Sequence, residues 1–200
     1  MSKNIDDWDW ASSFGGVVDT LYEGYGWEEL TVTTVDGYIL PLHHVWNPET
    51  RDSAKGPIMF MHGAGGDSVS SLAFYPWMRE LIDLGHDFYL ANNRGNSLAL
   101  DHVQYDYMED QKEFWDFSFH EFANDITASA KVMSENAGTG KGWYFGYSQG
   151  TIQGMVALAT QEDEMAKYFN RVILLAPCFG TDEDYDMSQL PESKRPGYVY

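Results

Sequence analysis

The chain has 200 residues, enough to bury one sizeable core, and its 44% apolar content argues against disorder. Thirty-one acidic against 12 basic residues leave a net charge of −19, which opposes nucleic acid and anionic membrane surfaces as partners. The single cysteine, Cys178, excludes an intrachain disulfide framework, and no stretch reaches the roughly 18 apolar residues that a membrane-spanning helix needs.

Residues 1–18 are polar and aromatic with a Gly15-Gly16 break and read as a loose N-terminal arm; they hold no apolar signal core, so no targeting segment is visible. From Glu28 the chain alternates through Leu30 and Val32 to Asp36-Gly37, and a second β-prone run follows from Tyr38 to Val45. Asp-Gly between two such runs predicts an antiparallel hairpin. His43 and His44 are adjacent, so on a strand they point to opposite faces and predict structural roles rather than a metal pair.

Pro57-Ile58-Met59-Phe60-Met61 predicts a short strand buried on both faces, emptying into His62-Gly63-Ala64-Gly65-Gly66-Asp67. Trp77, Leu81 and Leu84 then recur at helical spacing behind Pro76, and Gly85 stops the helix. Asp87 to Ala91 predicts the next strand, Asn92-Asn93-Arg94-Gly95-Asn96 a loop, and residues 97–113 an irregular polar stretch. A long helix is expected with Phe119, Phe122, Ile126, Ala130 and Met133 on one face and Gly138 beyond its end.

The aromatic run Trp143-Tyr144-Phe145 leads into Gly146-Tyr147-Ser148-Gln149-Gly150, with Ile152, Met155, Val156 and Ala159 following at helical spacing. Arg171 to Pro177 predicts one more buried strand, with Cys178 as a small core residue at its end. A hairpin followed by alternating strands and helices predicts an α/β fold: a mostly parallel sheet behind an antiparallel N-terminal hairpin.

Gly-x-Ser-x-Gly between a strand and a helix is the pattern of a nucleophile elbow. A serine hydroxyl is a weak nucleophile unless it stands exposed on a sharp turn, where a base can take its proton and N–H groups can face the developing oxyanion. Ser148 is the candidate nucleophile. The N–H groups of Ala64, after the first parallel strand, and Gln149, after the nucleophile, are the candidate oxyanion hole. His62, at a strand end, is expected to shape the oxyanion loop rather than act as base.

These motifs, taken together, resemble the acid lipases, the gastric and lysosomal lipase family of the α/β-hydrolase fold. The resemblance covers residues 19–180, which form the expected hydrolase core. It rests on Thr33-Thr34-Val35-Asp36-Gly37-Tyr38-Ile39-Leu40, His62-Gly63, Asn93-Arg94-Gly95-Asn96, Glu113-Phe114-Trp115-Asp116-Phe117-Ser118-Phe119 and Gly146-Tyr147-Ser148-Gln149-Gly150-Thr151. It implies hydrolysis of a lipid or other carboxylic ester through an acyl-enzyme on Ser148, no cofactor or metal, and a secreted or lysosomal location. Two positions depart from the family pattern: Tyr147 replaces a histidine, and Ala64 with Gly65 replaces bulky apolar residues.

The larger departure is that none of the six histidines (His43, His44, His62, His86, His102, His120) follows Ser148, whereas hydrolases of this fold place theirs after the nucleophile. The sequence is therefore expected to be the N-terminal portion of a lipase-like enzyme, lacking its catalytic histidine, with residues 181–200 an acidic tail or the start of a lid. The acids Asp182, Glu183, Asp184 and Asp186 stand just after the final strand, but usable triad geometry is not expected there. The alternative is a catalytically inactive hydrolase-like chain that binds an acyl ligand or a partner.

Overall fold

The computed structural model describes residues 8–138 and 140–178. Its strands are β1 (Gly26–Thr33), β2 (Tyr38–Trp46), β3 (Ile58–Met61), β4 (Phe88–Ala91), β5 (Asp101–His102), β6 (Gly142–Tyr147) and β7 (Phe169–Leu175). Its α-helices are α1 (Phe14–Leu21), α2 (Ser68–Phe74), α3 (Trp77–Asp83), α4 (Gln111–Phe114), α5 (Phe122–Ala137), α6 (Gln149–Thr160) and α7 (Glu162–Tyr168).

The strands form one sheet in the order β1-β2-β4-β3-β6-β7, with β5 paired to the end of β2. β1 and β2 are antiparallel across the Asp36-Gly37 turn, β2 is antiparallel to β4, and β4-β3-β6-β7 run parallel. Alternation sends side chains to two cores. Ile58, Phe60, Phe88, Leu90 and Phe145 face α1, α2 and α3, while Met59, Met61, Tyr89 and Tyr144 face α5 and α6. β3 and β4 are buried along their whole length, as parallel strands covered on both faces must be.

The Asn92–Asn96 loop after β4 is held by a buried ion cluster. Arg94, 1% exposed, pairs in bidentate fashion with Asp36 of the hairpin turn at 2.6 and 3.0 Å. It also donates to Asp125 of α5 from Nε and Nη2 at 2.9 and 2.7 Å, and its own backbone N–H donates to the second oxygen of that carboxylate. Its guanidinium lies over the Tyr38 ring. Three separate segments are thereby fixed to one another beneath the sheet's upper edge.

The chain departs from expectation in several places. Residues 14–18 do not form a loose arm: they belong to α1, which the Ser13 hydroxyl caps by accepting from the Gly16 N–H, with Phe14, Val17 and Val18 buried. Gly15 lets the Trp27 ring approach where a Cβ would stand 2.7 Å from Cζ2, so the glycine that weakens helix propensity permits the packing that stabilises the helix. Residues 97–113 contain β5 and the start of α4. Leu84 and Phe119 are exposed, and α5 begins only at Phe122. Residues 181–200, read as tail or lid, lie outside the described residues. Among the described residues no helix is long and apolar enough to cross a membrane.

Candidate active site

The elbow follows from close approach at two glycines. A Cβ on Gly146 would sit 2.5 Å from the Gly150 carbonyl oxygen, and one on Gly150 would sit 2.4 Å from the Met61 carbonyl oxygen. Only hydrogen at both positions lets β6, the turn and α6 close against the end of β3. The Tyr144 hydroxyl donates to the Gly150 carbonyl at 2.6 Å and ties strand to helix. Ser148 is left at φ 49° and ψ −113°, a strained conformation of the kind that costs about 1–3 kcal/mol and persists where the surroundings over-determine it. Those surroundings include the Ser148 N–H donating to Leu175 O at 3.0 Å, and its carbonyl accepting from the Thr151 N–H and hydroxyl.

Gln149 opens α6, a 12-residue helix, so its N–H belongs to the group without intrahelical acceptors and lies at the positive end of the helix dipole. Facing it is the loop after β3. A Cβ on Gly63 would stand 3.1 Å from the Ser148 Cβ, which places this loop against the elbow. The Gly63 carbonyl accepts from the Gly66 N–H at 3.1 Å, and Asp67 closes the loop by capping α2 in a capping box with Ser70.

His62 is 3% exposed and both ring nitrogens are engaged: Nδ1 lies 2.8 Å from the Gly63 carbonyl and Nε2 lies 3.0 Å from Asn96 Nδ2. Burial pushes its pKa down against the pull of the Gly63 carbonyl. Such a ring is not placed to take the Ser148 proton. Among the described residues no histidine hydrogen-bonds Ser148; its hydroxyl instead lies 3.8 Å from the Cys178 sulfur. Cys178, expected in the core, is exposed beside Ser148, its N–H donating to the Thr151 hydroxyl at 3.2 Å. Nothing in the sequence signals that position, because it depends on the turn after β7, where Ala176 takes φ 51°.

Two hollows flank the site. A cleft of about 280 Å³ is lined by Gly63, Ala64, Phe74, Tyr75, Tyr147 and Ser148. An adjoining groove of about 720 Å³ is bounded by Gln149, Asn96 and the aromatic rings of Trp115, Phe117, Phe119 and Phe122. Ser148 and Ala64 thus line one cleft, and Gln149 lines the groove beside it. His43 and His44 are elsewhere and structural, His43 stacked on Phe14 and bonded to Ser68 and Glu29, His44 stacked on Tyr89 and bonded to Glu28. Among the described residues no group of His, Cys, Asp and Glu could hold a metal ion.

Comparison with known proteins shows the family to which the chain belongs. Residues 56–199 match the family model of the alpha/beta hydrolase fold, and residues 20–73 match that of a partial alpha/beta-hydrolase lipase region. The chain is 34% identical over 182 residues to the lysosomal acid lipase/cholesteryl ester hydrolase of Homo sapiens, an overlap of 86% of this chain and 45% of that protein. It is 35% identical over 168 residues to the gastric triacylglycerol lipase of Mus musculus, covering 78% of this chain and 40% of that protein. The chain therefore spans less than half the length of these relatives. In fold it matches the naproxen esterase of Bacillus subtilis with a TM-score of 0.52 at 13% identity, over 86% of this chain and 50% of that one. The chain belongs to the α/β-hydrolase fold family, its sequence similarity lying with the lysosomal and gastric lipases over the N-terminal part of their length.

Proposed function

We propose that this chain carries the nucleophile and oxyanion hole of a lipase-like carboxylic ester hydrolase. Ser148 Oγ attacks the ester carbonyl carbon, the Ala64 and Gln149 N–H groups receive the oxyanion, and collapse of the tetrahedral species expels the alcohol to leave an acyl group on Ser148. Water then releases the carboxylic acid by the same steps. The observation that carries the reading is the strained φ of Ser148 between two glycines that admit no Cβ. The aromatic groove beside Gln149 suits an apolar acyl group, and the named activities of the relatives favour a lipid ester. The relatives' names also support a secreted or lysosomal location. Residues 19–180 constitute the hydrolase core in this reading, and the proton acceptor comes from outside the described residues.

The second reading, an inactive hydrolase-like binder of an acyl ligand or partner, draws on one observation: no described histidine reaches Ser148. A fluorophosphonate probe separates the two. Under the first reading it labels Ser148 in an intact-length version that supplies the proton acceptor, and Ser148→Ala abolishes the label; retained labelling in that variant refutes the assignment. The 200-residue chain alone is expected to show no saturable turnover of p-nitrophenyl esters of short or long chain between pH 4 and 8. Saturable turnover lost in Ser148→Ala would place a base within this chain. An intact-length version that folds and takes no label but binds fatty acyl ligands would favour the second reading.

A further inference from the structure

The hydrogen bonds around His62 determine its tautomer without reference to any proton being seen. The Gly63 carbonyl can only accept, so Nδ1, 2.8 Å away, must carry a proton. On the other side of the ring, Asn96 Nδ2 lies 3.0 Å from Nε2. The orientation of that amide is set independently, because its Oδ1 accepts from the Leu98 N–H at 2.8 Å. Its NH₂ group therefore donates to Nε2, which must be bare. Its remaining hydrogen goes to Asn92 Oδ1 at 3.0 Å. Asn92 is itself fully engaged: Oδ1 also accepts from the Ser68 N–H, and Nδ2 donates to the Pro41 carbonyl and to Ser68 Oγ. Asn96 is thus anchored to a buried polar chain reaching from β2 and α2 to the oxyanion loop.

The consequence lies in the peptide that joins Gly63 to Ala64. A trans peptide is planar, so its C=O and N–H point in opposite directions. Among the described residues there are no cis peptide bonds. Two donors, His62 Nδ1–H and the Gly66 N–H, hold the Gly63 oxygen on the protein side. The Ala64 N–H is thereby turned the opposite way, away from the imidazole, at the cleft that Ala64 and Ser148 both line. We propose that Asn96 is a positioning residue of this enzyme: by donating to His62 Nε2 it holds the imidazole as the Nδ1–H tautomer, which locks the Gly63 carbonyl and so aims the Ala64 N–H at the oxyanion.

This inference rests on Ala64 being an oxyanion donor, and its test separates the two. In the intact-length protein, nitrogen NMR with labelled histidine reads the His62 tautomer, the Ala64 amide cross-peak reports that peptide plane, and the rate of fluorophosphonate labelling reports the oxyanion hole. Wild-type His62 is expected to be neutral with Nδ1 protonated and Nε2 bare. Asn96→Leu should shift the Ala64 cross-peak and slow labelling of Ser148 by about tenfold, a part of the ~10²–10³ lost when an oxyanion donor is removed outright. His62→Leu should do the same or more. His62→Asn, whose side-chain amide can donate from the position of Nδ1, should recover most of the rate, which a residue serving only to fill space would not. A wild-type ring protonated at Nε2, or an Asn96→Leu protein with an unmoved Ala64 cross-peak, overturns the proposal. So does an unchanged labelling rate in Asn96→Leu. If wild-type Ser148 takes no label, the nucleophile reading fails, while the tautomer and the cross-peak still decide whether Asn96 orients the loop. The wild-type tautomer needs no variant, so the proposal stays exposed even if Asn96→Leu does not fold.

Discussion

Among the described residues, the two sides of the sheet around Ser148 differ in burial. On the β4-β3 side every strand residue is buried, the core facing α5 is filled by Ile126, Ala130 and Met133, and the loops are tied down by the Arg94 cluster and the Asn92-Asn96-His62 chain. On the β7 side the strand is buried only at Phe169, and α6 turns small or polar residues inward: Gly150, Thr151, Gln153, Gly154 and Ala157. Its larger apolar residues Met155 and Leu158 are exposed. Ser148 stands on the seam. Its geometry is imposed from the packed side, through contact of Gly150 with the end of β3, while the other flank contributes mainly the Leu175 carbonyl and the turn that carries Cys178.

If this contrast is real, damage to the packed side should cost far more than damage to the other. The largest effect is expected for Arg94→Met, which leaves Asp125, fully buried, with no cation: a loss of about 3–5 kcal/mol in urea unfolding. A loss below about 1 kcal/mol would show that the cluster does not hold the loops. Next comes Ala64→Pro in the full-length protein, which removes one N–H from the loop after β3 and should cost about 3 kcal/mol of transition-state stabilisation, roughly a hundredfold in the labelling rate of Ser148. A normally folded variant that labels at the wild-type rate would remove Ala64 from the hole.

The direct comparison pairs one residue from each side. Ile126→Val, deleting a methyl from a fully buried position on α5, should cost about 0.5–1.5 kcal/mol. Met155→Ala on exposed α6 should stay within about 0.5 kcal/mol. Equal losses would mean that the α6 face is covered in solution.

The smallest effect concerns acid. Burial alone would raise the Asp36 carboxyl, but the Arg94 guanidinium and the bonds from Thr34 and Asn124 outweigh it and lower its pKa from 3.8 to about 2. A carboxylate depressed on folding contributes stability above its unfolded value and loses it as pH falls through the folded one. The stability difference between wild type and Asp36→Asn should therefore be constant near neutral pH and close between about pH 4 and 2. A gap unchanged across that window would show that Asp36 is not held ionised by Arg94.

Legibility in the sequence followed the same division. β3, β4 and β6 were plain because strands covered on both faces must be continuously apolar, and the Asp36-Gly37 turn because a tight hairpin demands such residues. Helix α6 was visible as a helix, yet its apolar stripe misled. Ile152, Met155, Val156 and Ala159 are not its buried face, because the close approach to Tyr144, where a Cβ on Gly154 would stand 2.5 Å from the ring, admits only small residues. α1 was illegible because its helix rests on tertiary contacts, Phe14 stacking on His43 at 4.2 Å, and not on propensity.

At the site, the sequence by itself determined the strained turn at Ser148 and the glycine-rich loop opposite, since each is a local backbone requirement written into consecutive residues. What only the tertiary structure decided is which atoms meet: that both nitrogens of His62 are occupied, that Asn96 reaches it across 34 positions, and that Cys178 stands beside Ser148. A turn can be specified by its own few residues, but a hydrogen bond between distant loops exists only once the strands beneath them have been paired in register.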